Sequence, residues 1–168
     1  MTSFYQRLVD SALSVWVRDS GSIWSFPTIL LLHTYGMAVL VGIILVVDLR
    51  ILGFAPGLPL PPMRRFFPLV WIAFWVNAVT GTILLAADAT TKMRNLDFGV
   101  KMALIAAGVV SQLMVQRRVF SDSDEVTRPV TGQIKFLSAL SVMCWLGAIT
   151  AGRLLAYVGG ETALKGLQ

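Results

Sequence analysis

The residue in this sequence best suited to cofactor chemistry is its single histidine, His33. It lies about ten residues into the apolar run 23–47, which corresponds to a depth of about 15 Å along a helix. Ionisable side chains inside a bilayer are costly and usually face the interior of a helix bundle. A neutral imidazole at that depth can bind the metal of a haem or chlorophyll, or hydrogen-bond a quinone. We therefore predict His33 as a metal ligand, with a plain hydrogen bond to a neighbouring helix as the alternative.

Four further residues are predicted to share this site. Gly36 follows His33 by one turn, and its lack of a side chain allows the close approach of a flat ring or of another helix. Asn77 lies near the middle of the second apolar run, while Lys101 and Arg153 lie near the start of the third and the end of the fourth. Cationic groups pair well with carboxylates, so both cations are expected at the propionates of a bound tetrapyrrole. The alternative is that both side chains snorkel to the membrane interface.

Sulfur atoms near the histidine make copper a second candidate ligand. Met37 follows His33 by four residues and shares its helical face. Met143 and Cys144 lie in the middle of the fourth apolar run, and soft sulfur together with imidazole suits Cu(I). No Met-x-x-Met repeat or histidine-rich loop accompanies them.

Groupings typical of catalysis are mostly missing from the sequence. The acidic residues Asp48, Asp88 and Asp97 are each expected to mark the end of a span rather than to lie within the membrane. The glycines form no phosphate-binding motif, and a single cysteine excludes an internal disulfide. We predict no catalytic residues.

The elements that position these residues must cross a membrane. Of the 168 residues, 56% are hydrophobic and 14% are charged, and the mean hydropathy is +0.74. Soluble domains carry about 25% charged residues. A soluble fold of this size cannot hide so much apolar surface, which excludes a water-soluble enzyme. The net charge of +5 is scattered rather than clustered, which argues against nucleic-acid binding.

Four apolar runs are long enough to cross a bilayer, which takes about 20 helical residues. The predicted spans are 23–47, 66–87, 98–116 and 133–158, followed by a polar tail at 159–168. Residues 1–22 carry an apolar stripe at helical spacing, which predicts an amphipathic helix in the membrane interface. The predicted fold is therefore all-α: an integral membrane four-helix bundle with an N-terminal interfacial helix.

The distribution of basic residues predicts the orientation of the bundle. One side carries seven: Arg50, Arg64, Arg65, Arg117, Arg118, Arg128 and Lys135. The opposite side carries five: Arg7, Arg18, Lys92, Arg94 and Lys165. Because cytoplasmic loops carry the excess of Lys and Arg, both termini are expected on the outer face, which is periplasmic in a Gram-negative bacterium.

A pattern in the first span resembles an uncharacterised family of small bacterial four-helix membrane proteins. The resemblance rests on Leu32–Gly36, Gly42 and Asp48–Gly53. Thr80-Gly81 and the pattern Asn95-x-x-Phe98-x-x-Lys101 also fit it. It covers roughly residues 20–155 and implies a fold rather than an activity.

More distantly, the bundle is similar to the copper-resistance D type membrane proteins and to the bacterial membrane protoporphyrinogen oxidase family. Those proteins also pair an early-helix histidine with a lysine that opens a later helix. This similarity implies that His33 and Lys101 are the functional pair here. The sequence departs from both groups because it has no second histidine, so one chain cannot bind haem through two histidines. A sixth ligand would be absent, of another type, or supplied by another subunit.

Together these patterns favour a non-catalytic membrane subunit or binding module. It would hold haem b or another tetrapyrrole for electron transfer, or support a respiratory or photosynthetic complex. The alternatives are a purely structural accessory subunit, a membrane enzyme acting on a porphyrin or quinone, and a copper-handling protein. The expected location is the bacterial inner membrane, and the expected partners are the lipid bilayer and other membrane subunits or further copies of the chain.

Overall fold

The computed structural model describes the backbone of residues 2–93, 95–120 and 130–165. This part of the chain is helical and contains no strand. Its α-helices are α1 (Thr2–Val9), α2 (Ala12–Asp19), α3 (Phe26–Leu52), α4 (Phe67–Ala86), α5 (Ala89–Lys92), α6 (Leu96–Val119) and α7 (Gly132–Lys165). A short 3-10 helix, Pro61–Phe66, leads directly into α4.

Four segments are long and apolar enough to cross a membrane: Phe26–Leu52, Pro61–Ala86, Leu96–Val119 and Gly132–Leu155. Their outward faces are apolar as well. On α4, for example, Ile72, Trp75 and Val79 are 61%, 62% and 56% exposed and follow one another at helical spacing. Such a surface is compatible with contact to lipid. The predicted all-α membrane four-helix bundle is confirmed.

The first span ends later than the sequence pattern predicts. Helix α3 continues through Asp48 to Leu52, and Asp48 is fully buried. The helix ends at Gly53, whose φ of +100° is readily adopted only by glycine. The backbone N–H of Gly53 donates to the carbonyls of Arg50 and Leu49, and that of Phe54 also donates to Leu49. Helix α3 thus continues five residues beyond the predicted boundary at Val47, and Asp48 lies within the helix rather than at its end.

Both termini differ in detail from the expected pattern. Residues 1–22 contain two short helices instead of one, because Ser11 caps the start of α2 by accepting a hydrogen bond from the N–H of Ser14. Helix α1 packs against α5 and α4 at one end of the bundle. At the other terminus, α7 continues to Lys165, into the expected polar tail.

The helices pack in the spatial order α4, α3, α7, α6. Helix α3 contacts both α4 and α7, and α6 pairs with α7. The α6–α7 pair is close because glycines face large side chains. A Cβ added at Gly108 would lie 3.1 Å from the indole of Trp145, and one added at Gly147 would lie 3.1 Å from Leu104. Small residues thus bring these two helices together, as is usual inside membranes.

Helices α4 and α6 contact each other mainly at one end. There the ring of Phe67 meets that of Phe120, the residue that follows α6, edge to face, with centroids 4.8 Å apart. Elsewhere the two helices make no extensive contact. A gap therefore separates α4 from α6 toward the end of the bundle that carries α5.

Candidate functional site

A cleft of about 220 Å³ occupies the gap between α4 and α6. Its polar lining comprises His33, Asn77, Thr82 and Lys101, and its aromatic lining comprises Phe74, Phe98 and Trp145. The structure therefore brings together three of the five residues predicted for the site. A second groove of about 350 Å³, beside Gly42 and the 3-10 helix, is lined by apolar residues and glycine. The first cleft is consequently the better candidate for binding chemistry.

The hydrogen bonds of His33 determine which ring nitrogen carries the proton. Its Nδ1 lies 3.1 Å from the backbone oxygen of Asn77 and 3.1 Å from Oγ1 of Thr80. A carbonyl oxygen can only accept, so Nδ1 must donate. In the neutral imidazole this leaves a lone pair on Nε2. Metal-binding histidines are typically arranged in this way, with the other ring N–H held by a carbonyl or carboxylate.

Asn77 fixes the position of His33 in return. Its side-chain Nδ2 donates to the backbone oxygen of His33 over 2.7 Å. This pair of bonds joins α3 to α4. Thr80 completes the arrangement because its hydroxyl donates to the backbone oxygen of Val76 over 2.7 Å and so remains an acceptor for Nδ1.

Two glycines allow this close approach of α3 and α4. A Cβ added at Gly36 would lie 3.3 Å from the backbone oxygen of Ala73 and 3.4 Å from the backbone nitrogen of Asn77. Gly36 therefore contacts the neighbouring helix, which is one of its two predicted roles. At Gly81 an added Cβ would lie only 3.0 Å from Cε1 of His33. The imidazole rests directly on Gly81.

The two predicted cations occupy different surroundings. Lys101 is half-buried in the cleft, and a Cβ added at Gly152 of α7 would lie 3.5 Å from its Nζ. Among the described residues Lys101 forms no ion pair. Arg153, the neighbour of Gly152, is exposed and does not line the cleft. Lys101 is therefore the cation available to a ligand beside His33.

The residues of the copper alternative do not meet at this cleft. Met37 packs against the apolar core, Cys144 is buried, and Met143 is 69% exposed. None of the three is among the residues that line the cleft. In the ranges that the structure describes, no three His, Cys, Asp or Glu side chains are grouped as metal ligands would be.

Sequence reasoning missed a second set of buried polar residues in the opposite half of the bundle. It contains Asp48 of α3, Gln112 of α6, and Ser138 and Ser141 of α7, all of them buried. Asp48, Ser138 and Ser141 each have apolar neighbours on both sides, and Gln112 follows Ser111, so none stands out alone. The three-residue spacing of the two serines was the available signal, since it places both on one face of a helix.

The chain matches no protein-family model, no curated protein and no solved structure. The family resemblance drawn from the sequence motifs therefore stays a prediction, and the geometry of the cleft has to carry the functional argument.

Proposed function

We propose that this protein is a membrane-embedded binding module that holds a planar tetrapyrrole, such as haem b, in the cleft between α4 and α6. One observation supports this above the others: Nδ1 of His33 lies 3.1 Å from the carbonyl oxygen of Asn77, an acceptor that assigns the ring proton to Nδ1 and leaves the lone pair on Nε2 for a metal. The bound group would supply reversible one-electron chemistry. The protein's part would be to orient the imidazole, bind one face of the ring and exclude water.

The chemical character of the residues that line the cleft fits a tetrapyrrole. Phe74, Phe98 and Trp145 provide apolar and aromatic surface for a flat ring, and Lys101 provides a cation for a propionate. The volume of about 220 Å³ is smaller than the roughly 300–1,000 Å³ of typical sites for larger ligands. The cleft would therefore hold the part of the ring beside His33 and Lys101, with the remainder in the lipid-facing gap between α4 and α6. Arg153 would serve a second propionate from the exposed face of α7.

The single histidine limits the coordination of the metal. The iron would be five-coordinate, or its sixth ligand would come from another residue type or another subunit. This requirement supports a role beside other membrane subunits or a second copy of the chain, in electron transfer or in the assembly of a respiratory or photosynthetic complex. We further propose a location in a bacterial inner membrane, where the positive-inside rule would place both termini on the periplasmic side.

The small volume of the cleft favours one second candidate, a quinone or quinol. The head group of such a molecule is much smaller than a tetrapyrrole. The lone pair on Nε2 of His33 would accept a hydrogen bond from a quinol hydroxyl, and Lys101 would donate to a quinone oxygen. In this case His33 would carry protons during quinone chemistry.

The absorbance spectrum of the gently solubilised protein tests the proposal, recorded oxidised and then reduced with dithionite. We expect a Soret band and sharp reduced bands, which His33→Ala should remove while the protein remains folded. Thr34→Ala is the matched control, because Thr34 is exposed on the same helix and its hydroxyl bonds to its own helix. Retained absorbance in His33→Ala would contradict the ligand assignment.

A colourless wild-type protein would contradict the tetrapyrrole proposal itself. Titration with a short-chain quinol then separates the remaining functions. Quinol binding by the wild type that is lost in His33→Ala would support the quinone site. If the wild type binds no quinol, a purely structural role is favoured.

A further inference from the structure

The groove beside Gly42, of about 350 Å³, lies between α3 and the segment that leads into α4. Gly42 and Val46 of α3 contribute to one wall, and Leu58 and Phe66 contribute to the other. Every residue that lines the groove is apolar or glycine. Val46, Leu58 and Phe66 are each about half exposed, so their side chains face the surroundings of the bundle rather than its core. The groove shares no lining residue with the His33 cleft.

Local structure keeps this groove open. Gly42 carries no side chain, and a Cβ added there would have no neighbour within 4 Å. The connection that follows α3 folds back against the helix, since Nε of Arg50 donates to the backbone oxygen of Leu58. Pro59 and Pro62, which also line the groove, restrict the backbone of this connection further. The groove is therefore preformed.

The shape of the groove specifies its occupant. Gly42, Val46 and Arg50 are spaced four residues apart, so they share one face of α3. The distance from Gly42 to Arg50 along the helix is about 12 Å, which is most of the roughly 15 Å depth of one hydrocarbon leaflet. With a volume of about 350 Å³ over that length, the groove is too narrow for a helix, which is about 10–12 Å across. An acyl chain fits both the length and the apolar lining.

Two basic residues lie at the interfacial end of the groove. Arg50 follows Val46 by one turn on the same face of α3. Arg65 follows Pro62 by three residues in the 3-10 helix, where side chains at this spacing eclipse each other. Among the described residues neither arginine forms an ion pair with a carboxylate. Guanidinium groups bind phosphate through parallel hydrogen bonds, and basic residues at a membrane surface attract anionic lipids.

We infer that this groove binds one acyl chain of an anionic phospholipid whose phosphate is held by Arg50 and Arg65. The chain covers the exposed apolar side chains of both walls, and the other chain of the lipid remains in the bilayer. This site differs from the general contact of a membrane helix with lipid, because one molecule is held at one place with a preference for its headgroup. It is independent of any ligand in the His33 cleft.

Native mass spectrometry of the full chain in an uncharged detergent tests this site. Titration with dioleoylphosphatidylglycerol should show one lipid that binds saturably to each chain. Dioleoylphosphatidylcholine has the same acyl chains and a zwitterionic headgroup, so it separates the two contacts. It should bind about tenfold or more weakly, because each arginine beside an anionic headgroup changes the affinity by a factor of about five.

Two substitutions address the acyl chain and the headgroup separately. Gly42→Leu places a side chain in the groove and should abolish the saturable binding of both lipids. Gly99→Leu is its matched control, because a Cβ at Gly99 also has no neighbour within 4 Å and Gly99 does not line the groove. Arg50→Gln should reduce the preference for phosphatidylglycerol by about fivefold. Arg117→Gln should leave it unchanged, since Arg117 is exposed at the same end of the bundle but outside the groove.

Three results would overturn the assignment: no saturable lipid binding by the wild type, equal affinity for the two lipids, or undiminished binding in Gly42→Leu. If Gly42→Leu does not fold, the arginine variants decide. An unchanged preference in both Arg50→Gln and Arg65→Gln would then overturn the site. His33→Ala should retain the lipid affinity of the wild type while it loses any ligand of the cleft, which separates the two proposals.

Discussion

Gly81→Ala should move the imidazole of His33 out of its hydrogen bonds. The added Cβ would lie 3.0 Å from Cε1 of the ring, whereas carbon atoms pack best at about 3.5–4.0 Å. The ring must therefore shift by about 0.5 Å or more. Its Nδ1 is held at 3.1 Å from the Asn77 oxygen and 3.1 Å from the Thr80 hydroxyl. A shift of that size lengthens these contacts to about 3.6 Å, which is no longer a hydrogen bond.

Two opposing effects set the expected change in stability. Replacing a helical glycine by alanine stabilises a helix by about 0.8–1.0 kcal/mol. Loss of the His33 hydrogen bond costs about 0.5–1.5 kcal/mol. The free energy of unfolding of Gly81→Ala should therefore stay within about 1 kcal/mol of the wild type. Gly42→Ala is the matched control: its added Cβ has no neighbour within 4 Å, so it should keep the full gain.

Unfolding in mixed detergent micelles measures the stability of both variants, and ¹⁵N NMR of the histidine measures the ring. The chain has one histidine, so its two ring nitrogens give unambiguous signals. In the wild type we expect protonated Nδ1 and bare Nε2, and in Gly81→Ala a loss of that preference. Equal stabilisation by Gly81→Ala and Gly42→Ala, with unchanged ring signals, would refute the reasoning.

Three other perturbations address the cleft, the helix packing and the orientation. Lys101→Met should weaken retention of the tetrapyrrole by about 10- to 100-fold in a dilution assay, because the charged hydrogen bond that it loses contributes about 1.5–3 kcal/mol. Unchanged retention would contradict the proposed contact between Lys101 and a propionate. Gly108→Ala should be about 1–3 kcal/mol less stable than Gly42→Ala when both are unfolded in micelles, because its Cβ would lie 3.1 Å from Trp145. Equal stabilities would contradict the tight packing of α6 against α7. In intact cells an impermeant maleimide should label a cysteine at Met93 but not one at Gly57, and the reverse pattern would invert the proposed orientation.

The overall fold was predictable because a bilayer constrains its helices so strongly. Any run of about 20 apolar residues must satisfy its own backbone hydrogen bonds and therefore forms a helix. The ends of the spans were less predictable. The first span was expected to end before Asp48 because charged residues there resemble an interface, but the helix stops only where Gly53 adopts a positive φ. Backbone conformation, not polarity, determines that boundary.

The candidate site was predictable only in part. His33, Asn77 and Lys101 stood out as polar residues at similar depths, and the structure brings them to one cleft. The bond from His33 to the Asn77 carbonyl could not be foreseen, since it depends on the rotation of α3 against α4. The same is true of the buried set that contains Asp48. Its serines lie about 90 residues further along the chain, and only the packing of the helices determines that these residues are buried.

His33 and the buried Asp48 should contribute to stability independently. They lie 15 residues, or about 22 Å, apart along α3, and substitutions more than about 7–10 Å apart usually add to within about 0.5 kcal/mol. The hydrogen bonds of His33 go to Asn77 and Thr80 of α4, and neither of these residues interacts with Asp48. The loss of unfolding free energy in a His33→Ala, Asp48→Asn double variant should therefore equal the sum of the single losses. An interaction energy above about 1 kcal/mol in this double-mutant cycle would show that the two sites are coupled through α3, as in a relay that spans the membrane.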